Sequence, residues 1–360
     1  MKNLVIGQSG GPTAVINSSL YGVIREGFNR SEEIEHVYGM INGIQGFLDG
    51  RFMDMKELDN DTLEALRTTP GAYLGSCRFK LPDDLNDAIY PLLFQKFEEM
   101  NIGYFFYIGG NDSMDTVSKL SRYAAAHNID VRIMGIPKTI DNDLILTDHT
   151  PGFGSAAKYV AASVCEIGLD ASVYNTKSVT IIEIMGRHAG WLTAASALAG
   201  EYGAGPDLIY LPETDFSMPD FIEDVKRVYQ EKGNCIVAVS EGIHYEDGGF
   251  VSEAKVAAND GFGHAQLGGL ATILSQVLKE ETGAKVRGIE LNLLQRCAAH
   301  LASETDIEES YMAGKVAVEN AVNGINGRMI GFERGIRDGK YACKTKLIPL
   351  MEVANTEKKV

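Results

Sequence analysis

Residues 137–143, Pro137-Lys138-Thr139-Ile140-Asp141-Asn142-Asp143, place a cation, a hydroxyl and two carboxylates in a single turn. Such a set could hold a phosphate, orient an acceptor alcohol and take its proton. The same composition would be ordinary in a solvated loop. Its position directly after the apolar run 131–136, and its density of unlike groups, favour chemistry. Two glycine turns offer complementary means. In Gln8-Ser9-Gly10-Gly11-Pro12-Thr13 the paired Gly10 and Gly11 let backbone N–H groups approach a phosphate, and a helix N-terminus adds favourable polarity. An ordinary strand-to-helix turn would read the same way, and the segment is not a Walker sequence. In Gly109-Gly110-Asn111-Asp112-Ser113 the residues Gly110 and Ser113 suit a phosphate or metal–phosphate site, whereas the carboxylate of Asp112 repels any anion it faces. Helix capping by Asp112 or Ser113 is the plain alternative there, and both roles can coexist.

Three further clusters have the same character. Met185-Gly186-Arg187-His188 ends a strand-like run and supplies a guanidinium, and Ser240-Glu241-Gly242 ends another and supplies a carboxylate. Arg287 and Arg296 lie nine residues apart around the segment 289–295, which looks strand-like and then turns. The planar arginine fork binds phosphate oxygens bidentately, although each arginine taken singly suits a surface equally well. The histidines form no metal pattern, and a lone His188 reads as structural. Trp191 with Leu192, Ala194, Ala195 and Leu198 reads as helix core rather than a cofactor box.

The elements that must position these groups alternate nearly throughout. Strand-like runs at 3–7, 104–108, 131–136, 178–185, 208–211 and 235–240 are each followed by a polar or glycine-bearing turn. Apolar positions Val15, Ile16, Leu20, Val23, Ile24 and Phe28 form a helical stripe over 13–28, and a further helix is expected from about Asp115. The expected fold class is α/β, with two Rossmann-like three-layer domains built on mostly parallel sheets. In open sheets of this kind ligands bind outside the carboxyl ends of strands, where nearly every unusual polar cluster of this chain falls. A length of 360 residues suits two such domains. We expect a phosphoryl-donor domain over 1–140, with a return segment near 255–305. A sugar-phosphate domain is expected over 141–254, with part of 306–360. Residues 352–360 are polar enough to be a frayed tail.

Composition narrows the classes. A formal net charge of −16 opposes general nucleic-acid binding, yet a local basic pocket can still hold a phosphorylated metabolite. No run of about 18 apolar residues suggests a membrane span, and the first residues fall short of a signal peptide. The five cysteines are scattered, odd in number and without a CxxC pair, so neither a disulfide framework nor a zinc site is indicated. A reducing cytoplasm is the natural setting.

Six separated motifs resemble the phosphofructokinase family, in family order: SGGPTAVIN at 9–17, GSCRF at 75–79, GGNDS at 109–113, PKTIDND at 137–143, IEIMGRHAGWL at 182–192 and LLQR at 293–296. The resemblance covers most of the chain, and PKTIDND with MGR is highly specific. It implies magnesium-dependent phosphoryl transfer to the 1-hydroxyl of fructose 6-phosphate. By that resemblance Asp141 is the base, flanked by Thr139 and Asp143, with Asp143 supporting the metal–phosphate environment. Gly10 and Arg78 match donor-contacting positions. Met185, Gly186, Arg187, Glu241, Arg287 and Arg296 match positions that hold the sugar phosphate. The two late arginines would take the 6-phosphate, one of them from a neighbouring subunit, so a homodimer or homotetramer is expected.

Donor choice turns on two residues. ATP-using members of the family usually carry glycine where this chain has Asp112 and Lys138, and the pyrophosphate-using branch carries an acid and a lysine. A carboxylate at 112 would repel the α-phosphate of ATP, while Lys138 can neutralise charge developing on the transferred and leaving phosphates. Pyrophosphate is the donor this reading favours. The alternatives are an ATP-dependent phosphofructokinase or a non-catalytic sugar-phosphate sensor; the second predicts loss of the base, and Asp141 is present. Asn111 stands where the family usually has a magnesium-linked Asp, and still offers an uncharged carbonyl. Leu293 stands where many members have His or Tyr facing the sugar, which leaves a seven-carbon sugar phosphate open as a substrate. No basic cluster matches the allosteric nucleotide site of bacterial members.

Overall fold

The computed structural model describes residues 1–173, 175–252 and 269–360. The strands among them are β1 Lys2–Gln8, β2 Ile34–Met40, β3 Phe52–Asp54, β4 Ile102–Gly109, β5 Arg132–Pro137, β6 Ser178–Ile184, β7 Leu208–Tyr210, β8 Asn234–Ser240, β9 Lys285–Glu290, β10 Arg328–Arg337 and β11 Lys340–Pro349. The chain divides into one unit of Met1–Ser155 with Ala302–Glu357 and a second of Ala156–Leu301 with Lys358–Val360.

The first unit is built on a seven-stranded sheet of order β11-β10-β5-β4-β1-β2-β3, with β5, β4, β1 and β2 parallel. Its central strands are apolar on both faces, as a doubly covered sheet requires. On β4, Phe105 and Tyr107 join a core with Tyr90, Phe94 and Phe97, while Phe106 and Ile108 join the opposite core with Leu20, Val23 and Ile24. Period-2 alternation thus feeds two helical layers from one strand. The chain leaves β1 towards β2 on one side and returns to β4 on the other. That reversal opens a crevice beyond the carboxyl ends of β1 and β4.

The second unit carries a four-stranded sheet of order β7-β8-β6-β9, parallel at every pairing. Val179, Ile181, Val237 and Val239 pack with Phe221, Val225, Leu270 and Leu274 from the helices Met218–Lys232 and Leu270–Thr282. Strand order reverses around β6, so the carboxyl ends of β6, β8 and β9 face a second crevice.

The return segments differ from those expected. Residues 255–268 lie outside the described residues, 269–301 cluster with the second unit, and it is Ala302–Glu357 that returns to the first. The cause is packing: Ala313, Ala317 and Val318 of the helix Glu304–Val322 enter the core around Leu20 and Ile24, and β10 pairs with β5. The division itself falls after residue 155 rather than 140, inside the helix Phe153–Ser172. The stretch 352–360 is not frayed. Asn355 and Thr356 bond to Asn111, the Trp191 indole N–H donates to Lys358 O at 3.1 Å, and Val360 N donates to Glu213 at 3.1 Å. All five cysteines are free thiols, and no helix among the described residues is long and apolar enough to cross a membrane.

One buried ion pair in the first unit fixes a pH window. His149 Nε2 lies 2.6 Å from Glu309 Oε2, its Nδ1 lies 3.1 Å from Asp148, and Tyr341 donates to Glu309 Oε1 at 2.6 Å. Arg334 Nε stands 3.6 Å from Asp148, and Phe332 stacks on the imidazole. Burial opposes the charge on His149, but the hydrogen bond to Glu309 and its charge outweigh it and raise the pKa above 6.5. Burial likewise opposes ionisation of Glu309, and the hydrogen bonds from His149 and Tyr341 outweigh it and lower the pKa below 4.5. The raised histidine contributes stability that is complete below 6.5 and is lost as pH rises through its folded value. The depressed glutamate contributes stability that is complete above 4.5 and is lost as pH falls through its own. The pair therefore stabilises most between about pH 4.5 and 6.5. Unfolding midpoints of wild type and Glu309→Gln should differ most in that window and converge on either side. A pH-independent difference would show that the pair stays neutral.

Candidate active site

In the first unit, three loops converge at the carboxyl ends of β1, β4 and β5, which are neighbours in the order β5-β4-β1. Ser9 N donates to Ile108 O at 2.9 Å and Lys138 N to Gly109 O at 2.9 Å, locking the loops 9–13, 109–113 and 137–143 to one another. Loop 75–79 joins them: Gly10 N donates to Cys77 O at 3.3 Å, and Ser76 Oγ donates to Gly10 O at 2.6 Å. Arg78 is exposed on that loop.

Lys138 is buried at 3% exposure and donates from Nζ to Gly11 O at 2.6 Å. Gly10 adopts φ +77°, and a Cβ there would stand 3.2 Å from Lys138 Nζ. Residue 10 must therefore be glycine both for its backbone and for the ammonium beside it. The helix expected from Asp115 begins at Asn111, with Gly110 at its N-cap and no side-chain cap. Neither Asp112 nor Ser113 caps it; Asp112 sits in the first turn, and Ser113 is buried with Oγ against Gly109. First-turn amides without a side-chain cap, flanked by Gly110 and Lys138, make a seat for phosphate oxygens.

The 137–143 turn is held on its far side. Thr150 Oγ1 donates to Thr139 O at 3.0 Å, and Thr150 N donates to the Asn142 side chain at 3.1 Å, with Asn142 at φ +54°. Thr139 Oγ1 accepts from Asp141 N at 3.1 Å and lies 3.4 Å from Asp141 Oδ2, so hydroxyl and carboxylate share one turn. Asp143 is partly exposed as a residue, yet its Oδ1 is buried with no hydrogen-bond partner. Burial first, and the charge of Asp141 second, push the Asp143 carboxyl well above the usual carboxylate range.

These facts decide how a divalent cation fits. A buried carboxylate oxygen with no hydrogen bond, beside a second carboxylate, suits a hard cation and its oxygen ligands. Asn111 does not suit one: its Oδ1 accepts from Asn355 N at 2.8 Å, and its Nδ2 donates to Thr356 O at 2.9 Å.

In the second unit, the loops after β6 and β8 interlock. Ser240 Oγ donates to Gly186 O at 2.6 Å, Gly242 N to Gly186 O at 3.1 Å, and Gly186 N to Glu241 Oε1 at 3.4 Å. Gly186 has φ +150°, and a Cβ would meet Ala189 O at 2.7 Å and Ser240 Oγ at 2.8 Å. This fixes Met185, Arg187 and Glu241 around one crevice. Gln295, only 2% exposed, accepts from Met185 N at 3.1 Å and so ties the short helix Leu294–Cys297, with Arg296, to the same strand end. Gln295 is a positioning residue that no single motif feature singles out; its place between Leu293 and Arg296 in LLQR is the signal the sequence offers for it. Leu293 is 56% exposed beside this helix.

Arg287 stands apart from the group. It lies within β9 opposite Thr180, five residues before Met185 on the neighbouring strand. Its own strand ends three residues later at Glu290, so at about 3.3 Å per residue it stands roughly 10 Å back from the carboxyl end. There it lies 3.5 Å from Asp170 and lines a cavity of about 400 Å³ with Tyr159, Ser163 and Glu166. Arg296→Ala should therefore weaken the apparent affinity for a sugar phosphate by about tenfold, the worth of one charge-assisted contact, with the donor KM nearly unmoved. A risen donor KM instead would place Arg296 with the other ligand.

Phosphate-seating amides, a buried lysine and paired carboxylates at a sheet's switch point are the equipment of a phosphotransferase of the α/β class. The chain belongs to the phosphofructokinase family, whose model matches residues 3–319. It is 43% identical over 360 residues to the pyrophosphate–fructose 6-phosphate 1-phosphotransferase of Halomonas elongata, covering 99% of this chain and 85% of that protein. It is 45% identical over 365 residues to the protein of the same name from Xanthomonas campestris, with coverages of 99% and 85%. The crystal structure of pyrophosphate-dependent phosphofructokinase from Nitrosospira multiformis matches with a TM-score of 0.88 at 38% identity, over 100% of this chain and 86% of that one.

Proposed function

We propose that this chain is a pyrophosphate-dependent 6-phosphofructokinase, which transfers a phosphoryl group reversibly from diphosphate to the 1-hydroxyl of fructose 6-phosphate. The observation that carries the reading is Lys138, buried and pinned to the glycine loop by a 2.6 Å bond to Gly11 O, with Asp112 in the first turn of the adjoining helix. The relatives' shared name supports the same donor and acceptor.

In this reading the 1-hydroxyl oxygen forms the new P–O bond, the bridging P–O bond of diphosphate breaks, and orthophosphate leaves. Asp141 takes the hydroxyl proton, with Thr139 holding its carboxylate in place. Gly10, Gly11, Gly110 and Ser113 supply the phosphate seat, and Arg78 reaches it from loop 75–79. Lys138 meets the charge that develops on the transferred and leaving phosphates. Asp143, rather than Asn111, would hold magnesium, which when bound screens the phosphate charge. Met185, Gly186, Arg187, Glu241 and Arg296 hold the sugar phosphate. Arg287, exposed on its own strand, fits service to a second copy in a homodimer or homotetramer. Five free thiols suit the reducing cytoplasm in which such an enzyme works.

The reaction should run in both directions, because diphosphate and the sugar-phosphate ester are closer in transfer potential than ATP and that ester. Fructose 1,6-bisphosphate with orthophosphate and magnesium should yield diphosphate at a measurable rate. Detection of the forward reaction alone would count against the reading.

A further inference from the structure

Residues 355–357 lie on the donor loops, and the contacts that hold them are made by unusual residues. Asn111 accepts from Asn355 N at 2.8 Å and donates to Thr356 O at 2.9 Å. Only an amide can do both; an aspartate at 111 would set a carboxylate against the Thr356 carbonyl. Asn355 Nδ2 donates to Asp115 Oδ1 at 3.0 Å, and Asp115 is itself fixed by Lys119 at 2.6 Å. Asn355 adopts φ +61°, a left-handed turn that brings the chain down onto the helix Asn111–Ala126. Glu357 then forms an antiparallel bridge with Leu144, the residue after Asp143.

We infer that residues 355–357 form a strap that closes the donor site beyond Asp112, restricting it to donors that end at the second phosphate. This rests on the reading of the 9–13, 109–113 and 137–143 loops as a pyrophosphate site. A donor seated there with a third phosphate or a nucleoside must continue past Asp112. Asn111 and Asp115, one turn apart on the helix face adjoining Asp112, are the two that the strap covers. Glu357 adds a second negative charge that an extended polyanion would have to approach. Donor exclusion is thus built in two layers, the Asp112 carboxylate and a segment more than 240 positions away in sequence. Asn111 is a positioning residue for the second layer.

The test uses the full chain in the Asp112→Gly background, with and without Asn355→Gly plus Glu357→Ala. Glycine keeps the left-handed turn accessible, so the pair loosens the strap without forcing the backbone. A second variant ends the chain after Ala354. kcat/KM is measured for diphosphate and for ATP with fructose 6-phosphate, and folding is checked by circular dichroism. Loosening the strap should raise kcat/KM for ATP by about tenfold while that for diphosphate changes much less. Equal changes for both donors, or no gain with ATP in a folded variant, would overturn the strap. If the shortened chain fails to fold, the point variants decide. If wild type turns over ATP and not diphosphate, the donor reading falls instead, which the diphosphate arm reports separately.

Discussion

Asp141→Asn should lower kcat by roughly 10²–10⁴, the usual range for loss of a general base, with the KM for fructose 6-phosphate changing much less. The substitution keeps the shape of the side chain and removes its capacity to take a proton. The surrounding geometry should survive it: Asp141 N still donates to Thr139 Oγ1, and the turn remains tied through Thr150 and Asn142. Asp143 is no substitute base in this reading, because its buried Oδ1 would hold magnesium. Near-full turnover in Asp141→Asn would remove Asp141 from the chemistry.

The second large effect concerns the donor. Lys138→Gly should cost diphosphate turnover on the order of 10²-fold or more, through lost stabilisation of developing charge. The lysine is buried against the glycine loop, so its removal also leaves a void; Lys138→Met, which keeps most of the volume, separates charge from packing. Both variants should lose turnover if charge is the cause, and only Lys138→Gly if packing is. Asp112→Gly should admit ATP while weakening catalysis with diphosphate. Residues 112 and 138 flank the same loops, so the double variant need not show the sum of the two effects. Should Asp112→Gly leave ATP unusable, the carboxylate is not the sole barrier, and the strap variants then report whether residues 355–357 supply the other.

The parts of the site that were legible in sequence are those carried on consecutive residues. The loops 9–13, 109–113, 137–143, 185–188 and 240–242 each follow a strand directly, so local pattern placed the chemistry at strand ends. Parallel sheets and α/β class followed from the same alternation. Partnerships across long separations were not legible. Helix Glu304–Val322 packs on the helix Ile16–Asn29, and β10 pairs with β5, joins of roughly 200–300 positions that no periodicity encodes. Asn111 illustrates the difficulty. Read locally it is a metal ligand short of its charge; in the fold its amide is the latch for Asn355 and Thr356. The stretch 352–360 misled for the opposite reason, since polar composition reads as a frayed tail while its backbone groups find partners on Asn111, Trp191 and Glu213. Arg287 and Arg296 look equivalent in sequence, but one lies inside β9 and the other beyond it.

The most direct test compares donors in the wild-type chain. Purified protein is supplied with fructose 6-phosphate and magnesium, and kcat/KM is measured with diphosphate, ATP and tripolyphosphate side by side. Diphosphate should exceed both others by at least about 100-fold, the scale of a like-charge contact at residue 112 worth a few kcal/mol. A preference for ATP would contradict the account at its centre.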